Sequence, residues 1–160
     1  MTDERRRLQE LSPVESMSLL ASVPLGRIVF TARALPAVHP ASHLVIDDRV
    51  IVRADGGVAI TSALRGEAGT VVAYEADAID PVDHLGWSVT VVGVAHQVTE
   101  PVAADAFRRA ARHWADGAND QVISISLGTV TGFRLVADGA PGPPGSGAAA
   151  AGRAQPRRHG

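Results

Sequence analysis

The chain alternates short apolar runs with turn residues for most of its length, and helical spacing is confined to a few stretches. The charged start, residues 1–10, reads as a disordered N-terminal arm. Ser12-Pro13-Val14-Glu15 then forms a capping box, with Ser12 at N-cap, Pro13 at the first helical position and Glu15 reaching back. The helix it opens turns Leu19, Leu20 and Val23 toward a core and stops near Pro24. Arg27–Thr31, Leu35–His39, His43–Ile46, Arg49–Arg53 and Thr70–Ala76 read as strands, with Asp47-Asp48 as a hairpin turn and Thr61–Arg65 as a short helix. Leu85–Thr99 is long for one strand, and Gly93 offers a bend or bulge in its middle. Pro101–Trp114 reads as an amphipathic helix, with Ala106, Phe107, Ala110 and Trp114 on one face and Arg108, Arg109 and Arg112 mostly on the other. Gln121–Ile125 and Thr129–Val136 close the pattern as strands. One domain over residues 11–136 follows, mainly β with helical trim, in the form of a small barrel. Residues 137–160, rich in Gly, Pro and Ala, read as a disordered tail.

Composition narrows the chemistry. At 160 residues the chain suits a single domain. A net charge of −2 argues against a nucleic-acid or membrane-surface partner. The sequence has no cysteine, which excludes thiolate metal sites and cysteine nucleophiles. It also has no lysine, since all 15 basic residues are arginine, so a lysine phosphate clamp and Schiff-base chemistry are excluded too. The start lacks the apolar core of a signal peptide and no apolar run approaches a membrane span, which sets the expectation of a cytoplasmic protein.

Candidate chemistry is sparse. His39 and His43 share a strand face, but a third metal ligand is only suggested by Asp47 or His84, and solvated or core-satisfied histidines are the commoner outcome, so no metal is expected. Ser88 follows Gly86-Trp87 without a nucleophile elbow, and reads as a strand hydroxyl that packs or meets a ligand. Asp77 and Asp80 in EADAID offer an acid/base pair or, as the simpler reading, a solvated turn. The turn Asp55–Ala59 contains the pair Gly56-Gly57 but not the glycine pattern of a dinucleotide fingerprint.

The order of features says more than any one of them. LSPVESMSLLAS, GRIVFT, LPAVHP, VIVRADGG, ALRG, YEADAIDP and GWSVTVVGVAHQVT, followed by a Trp-bearing helix, resemble the pyridoxamine 5′-phosphate oxidase-like family of flavin-binding split barrels over about residues 11–136. The resemblance implies a six-stranded antiparallel split β-barrel of the FMN-binding type, a homodimer, and FMN or a deazaflavin coenzyme in clefts between subunits. It implies an oxidoreductase acting on a small-molecule substrate that the sequence does not name. The hydride chemistry belongs to the coenzyme, so no catalytic triad is expected and no catalytic side chain is assigned.

Carried over position by position, the strand Pro36–His43 runs beside the flavin ring, with backbone hydrogen bonds around His39, Ala41 and Ser42. Trp87 and Ser88 match positions that approach the ring from the partner subunit, although Trp87 also suits a core. The family's phosphate grip, a threonine followed by a hydroxyl and a cation, aligns with Ala54, Val58 and Ala59, all apolar here. Each lost charge-assisted bond costs about 1–3 kcal/mol. Arg53, Thr61, Ser62 and Arg65 are the nearest replacements, and Arg53 suits bidentate phosphate binding. The alternative is a split barrel that has lost flavin and serves as a ligand-binding or interaction module.

Overall fold

The computed structural model describes residues 5–55, 57–64, 66, 68–111 and 120–138. Gly56, Arg65, Arg112, His113, Trp114 and residues 139–160 lie outside the described residues, as does the side chain of Val58. Among the described residues the elements run β1 (Arg6–Leu11), α1 (Pro13–Ala21), β2 (Leu25–Ala32), β3 (Leu35–Ile46), β4 (Arg49–Asp55), α2 (Gly57–Ala63), β5 (Thr70–Ile79), β6 (Gly86–Gln97), α3 (Pro101–Ala110), β7 (Asp120–Ser126) and β8 (Thr129–Ala137). The sheet order is β1-β8-β6-β5-β2-β3-β4-β7, and a further β6–β7 pairing closes β6, β5, β2, β3, β4 and β7 into a six-stranded antiparallel barrel. β8 and β1 extend from β6 as a ribbon. This is the mainly β split barrel with helical trim that the sequence implies.

The capping box at α1 is formed in full: Ser12 Oγ accepts from the Glu15 amide and the Glu15 carboxylate accepts from the Ser12 amide. The helix buries Ser16 and Leu20. Leu20, Ile28, Phe30, Val50, Val52, Ile60, Val89, Val91, Ile123 and Ile125 fill the barrel. Branched aliphatics at every second strand position make this possible, because side chains alternate between the interior and the outer face.

Three expectations are corrected. The sequence predicts a disordered arm over residues 1–10, yet Arg6–Leu11 pairs with β8 through six residues. Only Leu11 in it is buried, so backbone pairing along the otherwise open edge of β8 holds it, not side-chain burial. Leu35–His39 and His43–Ile46 are one continuous strand, which pairs with β2 from Leu35 to Ser42 and with β4 from Ala41 to Ile46. On α3 the buried side is Ala104, Phe107 and Ala111, while Ala106 and Ala110 are exposed. The helix is turned this way because Ala104 and Phe107 pack on Ile51 and Val122, and Arg108 on the same side reaches Asp120.

Gly93 is not a bulge in the β5–β6 ladder, which runs unbroken through Val72↔Gly93. It marks the place where the other edge of β6 changes partner, from β8 up to Val92 to β7 from Ala95. A Cβ there would lie 1.7 Å from the Ser126 carbonyl oxygen, so only glycine allows the barrel corner to close.

A candidate cofactor cleft on the outer face

The register of four strands gathers one polar cluster on the outer face. Arg27 on β2 lies opposite Pro40 on β3 and Glu75 on β5, and Asp77 on β5 lies opposite Ser88 on β6. One guanidinium nitrogen of Arg27, Nη1, donates to Glu75 Oε2 at 3.1 Å and to Asp77 Oδ2 at 3.3 Å. The Ser88 hydroxyl donates to Glu75 Oε1 at 3.4 Å. Burial and the Asp77 charge together outweigh Arg27 and hold the Glu75 carboxyl above the usual carboxylate range. Beside the cluster a recess of about 290 Å³ is lined by Leu25, Gly26, Arg27, Pro40 and Asp77. Gly26 lets β2 approach β5 closely, since a Cβ would lie 2.4 Å from the Glu75 carbonyl oxygen and 2.7 Å from the Tyr74 hydroxyl.

Next to this recess runs the strand expected beside a flavin ring. β4 pairs with β3 only from Ala41 onward, so among the described residues Pro36–Pro40 have a strand neighbour, β2, on one edge and none on the other. Ser42 is 1% exposed and its hydroxyl has no hydrogen-bond partner among the described residues. A buried hydroxyl left in that state is costly unless a ligand or water completes it. Ala41 turns its methyl inward and its carbonyl accepts from the Tyr74 hydroxyl at 2.9 Å. His39 is half-buried on the same side as Ala41 and meets Phe30 edge-on at 5.2 Å.

His43 is a satisfied core histidine. Its Nε2 donates to the Leu20 carbonyl at 2.7 Å, at the end of α1, and its Nδ1 lies 2.8 Å from the Tyr74 hydroxyl. Burial holds its pKa below the ordinary value. A neutral ring that donates from Nε2 must accept at Nδ1, so the single Tyr74 proton is shared between Nδ1 and the Ala41 carbonyl. Both ring nitrogens are therefore used within the core, and no group of three His, Asp or Glu side chains gathers around a metal-sized site among the described residues. Asp80 is the solvated turn of the simpler reading: its carboxylate accepts from the Val82 and Asp83 amides at 2.7 and 3.2 Å, which holds its pKa low. Asp77 joins Arg27 and Glu75 instead.

The residues assigned to a phosphate grip do not converge. Ala54 is 1% exposed with its methyl in the barrel core. Ala59 and Ser62 are exposed on α2, and Thr61 is half-buried there. Arg53 points to the outer face, where its Nε donates to Asp120 Oδ2 at 2.5 Å and its Nη1 donates to the Arg108 and Ala111 carbonyls at 2.8 and 3.2 Å. It thus fastens the C-terminal end of α3 to β4 and β7. A cation at a helix C-terminus is favourable there. Trp87 faces the side opposite Ser88, as neighbours on a strand must, and packs against the barrel core. The ring half of a flavin site therefore fits the residues present, through the open β3 edge, Ser42 and Arg27, whereas a phosphate grip built on Ala54 and Arg53 does not fit.

Arg27, Glu75 and Asp120 are the centres of the two outer-face ion-pair clusters, and the local pattern of the sequence does not single them out. The alternation Glu75-x-Asp77 in YEADAID and the Arg27 of GRIVFT were available signals for the first two. Asp120 had none, because its role depends on a residue 67 positions away.

The topology defines the protein as a split barrel. A family model described as pyridoxamine 5′-phosphate oxidase matches residues 12–134, and the chain belongs to that family. It is 47% identical over 135 residues to the uncharacterized protein Rv0080 of Mycobacterium tuberculosis, covering 83% of this chain and 89% of that one. Among solved structures it is similar to the FAD binding protein of Mycobacterium smegmatis, at 29% identity and a TM-score of 0.59 over 80% of this chain and 98% of that one. An FAD-binding protein of Mesorhizobium loti shares the fold at 18% identity, with a TM-score of 0.66 over 82% and 99% of the two chains. No helix among the described residues is long and apolar enough to cross a membrane.

Proposed function

We propose that the chain binds a flavin-type coenzyme along the outer edge of β3 and acts as a homodimeric oxidoreductase on a small molecule. The buried, unpartnered Ser42 hydroxyl beside the open Pro36–Pro40 edge carries this reading. The FAD-binding relative at 29% identity supports it. When bound, the coenzyme supplies hydride transfer; the chain supplies position, electrostatics and shelter from water. The same outer face supports pairing with a second copy. Leu25, Val38, Val71, Ile79, Val92 and Phe133 are exposed around the Arg27 cluster. An apolar field of this kind on one sheet face is what a subunit interface uses.

The arrangement of Arg53 and Ala54 favours a second reading, a barrel without flavin that acts as a ligand-binding or interaction module. Titration of the purified protein with FMN, FAD, riboflavin and a deazaflavin coenzyme, followed by quenching of flavin fluorescence, separates the two. The first reading expects saturable binding of at least one flavin at one per protomer, in a dimer by light scattering. Because the phosphate grip is missing, FMN should gain less than about tenfold over riboflavin, the value of a single charge-assisted bond at the low end. Absence of binding by all four leaves the second reading.

A further inference from the structure

The Arg27 cluster has an electrical peculiarity that a decorative surface ion pair lacks. A single guanidinium nitrogen serves two carboxylates placed at successive outer positions of β5, so one cation faces two anions. Glu75 is the more enclosed of the two acids, with 24% of its side chain exposed, and the recess opens directly on Arg27, whose side chain is half exposed. The groups facing Glu75 are Arg27 from β2, Asp77 from β5 itself, and the neutral Ser88 and Thr90 from β6. Beyond β6 stand Thr131 and Phe133 on β8, then Glu10 on β1. Pro40 is the β3 neighbour of Arg27 and brings no charge. No second cation in this set compensates Asp77.

We propose that Arg27 is the ligand-recognising cation of the recess, and that a ligand presenting acceptor oxygens draws it from Glu75, which takes up one proton. This rests on the flavin reading, in which the acceptor oxygens are the ring carbonyls, and it adds a proton linkage to that site. Competition for Arg27 is the physical cause. A carboxylate stripped of its cation, half enclosed and beside a second carboxylate, is neutralised more easily than it is left charged. Glu75 is already held above the ordinary carboxylate range in the free protein, in keeping with this. Binding therefore tightens as pH falls, down to the pH where Glu75 is protonated before the ligand arrives.

Calorimetric titration of the full chain with riboflavin and with FMN, each in two buffers of different ionisation heat, measures protons taken up per ligand. Riboflavin has no phosphate whose own ionisation would contribute. The expected result is net proton uptake for wild type with both ligands, none for Glu75→Gln, and several-fold tighter, pH-independent binding by that variant. Asp77→Asn, which leaves Arg27 to Glu75 alone, should reduce the uptake while preserving binding. Arg27→Met should weaken both ligands at least tenfold. Riboflavin binding with no proton uptake, or uptake that persists in Glu75→Gln, overturns the inference and leaves the flavin reading standing. Failure of wild type to bind any flavin removes both.

Discussion

Arg53 is where the sequence and the structure assign different work to one residue, and Arg53→Met decides between them. Met retains much of the aliphatic stem and deletes the charge. In the structure the guanidinium lies between Asp120 and two carbonyls at the end of α3, with 13% and 10% of the Arg53 and Asp120 side chains exposed. Removing one partner of a pair this enclosed costs about 3–5 kcal/mol, because the remaining charge loses its compensation. Arg108 Nε stands 3.7 Å from the same Asp120 oxygen and offsets part of that loss, so the low end, about 3 kcal/mol, is expected. At about 2–4 °C per kcal/mol for a chain of this size, Tm should fall by roughly 6–12 °C. Differential scanning calorimetry reads this directly. The pair is tested by a cycle: Asp120→Asn alone is destabilising, and the double variant should be more stable than the sum of the two losses predicts. Flavin affinity, measured below the lowered Tm, should stay within about threefold of wild type, less than one charge-assisted bond is worth. A variant with unchanged Tm and flavin affinity reduced tenfold or more would refute this reasoning and return Arg53 to the phosphate.

His43 makes stability pH-dependent. Its folded pKa lies below the ordinary 6.5, so the unfolded chain binds the proton first as pH falls; stability is full above 6.5 and is lost below it, until the folded pKa is reached. Urea unfolding across that range should show a slope of up to about 1.4 kcal/mol per pH unit that His43→Gln removes. Tyr74→Phe takes away the proton that His43 Nδ1 and the Ala41 carbonyl share, and should cost about 1–3 kcal/mol by the same assay at neutral pH. Gly93→Ala places a methyl 1.7 Å from a backbone carbonyl that cannot move without opening the β6–β7 corner, so a loss of at least about 3 kcal/mol, or loss of soluble protein, is expected from expression and melting.

What was legible in the sequence follows the range over which each signal acts. The capping box at Ser12, the Asp47-Asp48 hairpin and the strand character of β2, β5 and β8 are fixed by neighbours a few residues apart, and all are present in the structure. The β1 strand was not legible, because Arg6–Leu11 carries the charges of an arm and becomes a strand only when β8 offers its edge. The buried side of α3 is not legible for a similar reason: periodicity alone allows two adjacent faces, and the choice falls to tertiary contacts with Ile51 on β4 and Val122 on β7.

The site shows the same limit at the scale of a single strand. Arg53 and Ala54 were both assigned to one phosphate, yet they are consecutive residues of β4, and consecutive strand side chains face opposite ways. Closure of the barrel sends Ala54 to the interior and Arg53 to the outer face under α3. Ser42 is paired with Arg53 in register and so shares that outer face, while Ala41 is paired with Ala54 and shares the interior. Strand parity thus separates the candidate residues into an outer-face set, Ser42 with Arg27 and Ser88, and an interior set, Ala41 and Ala54, whose methyl groups a ligand on the outer face does not reach. Any phosphate bound near β4 must be held by groups other than the Ala54 side chain. A gain of flavin affinity from Ala54→Thr would contradict this parity, since the new hydroxyl would lie among Ala41, Val52 and Ile123, where it finds burial and no ligand.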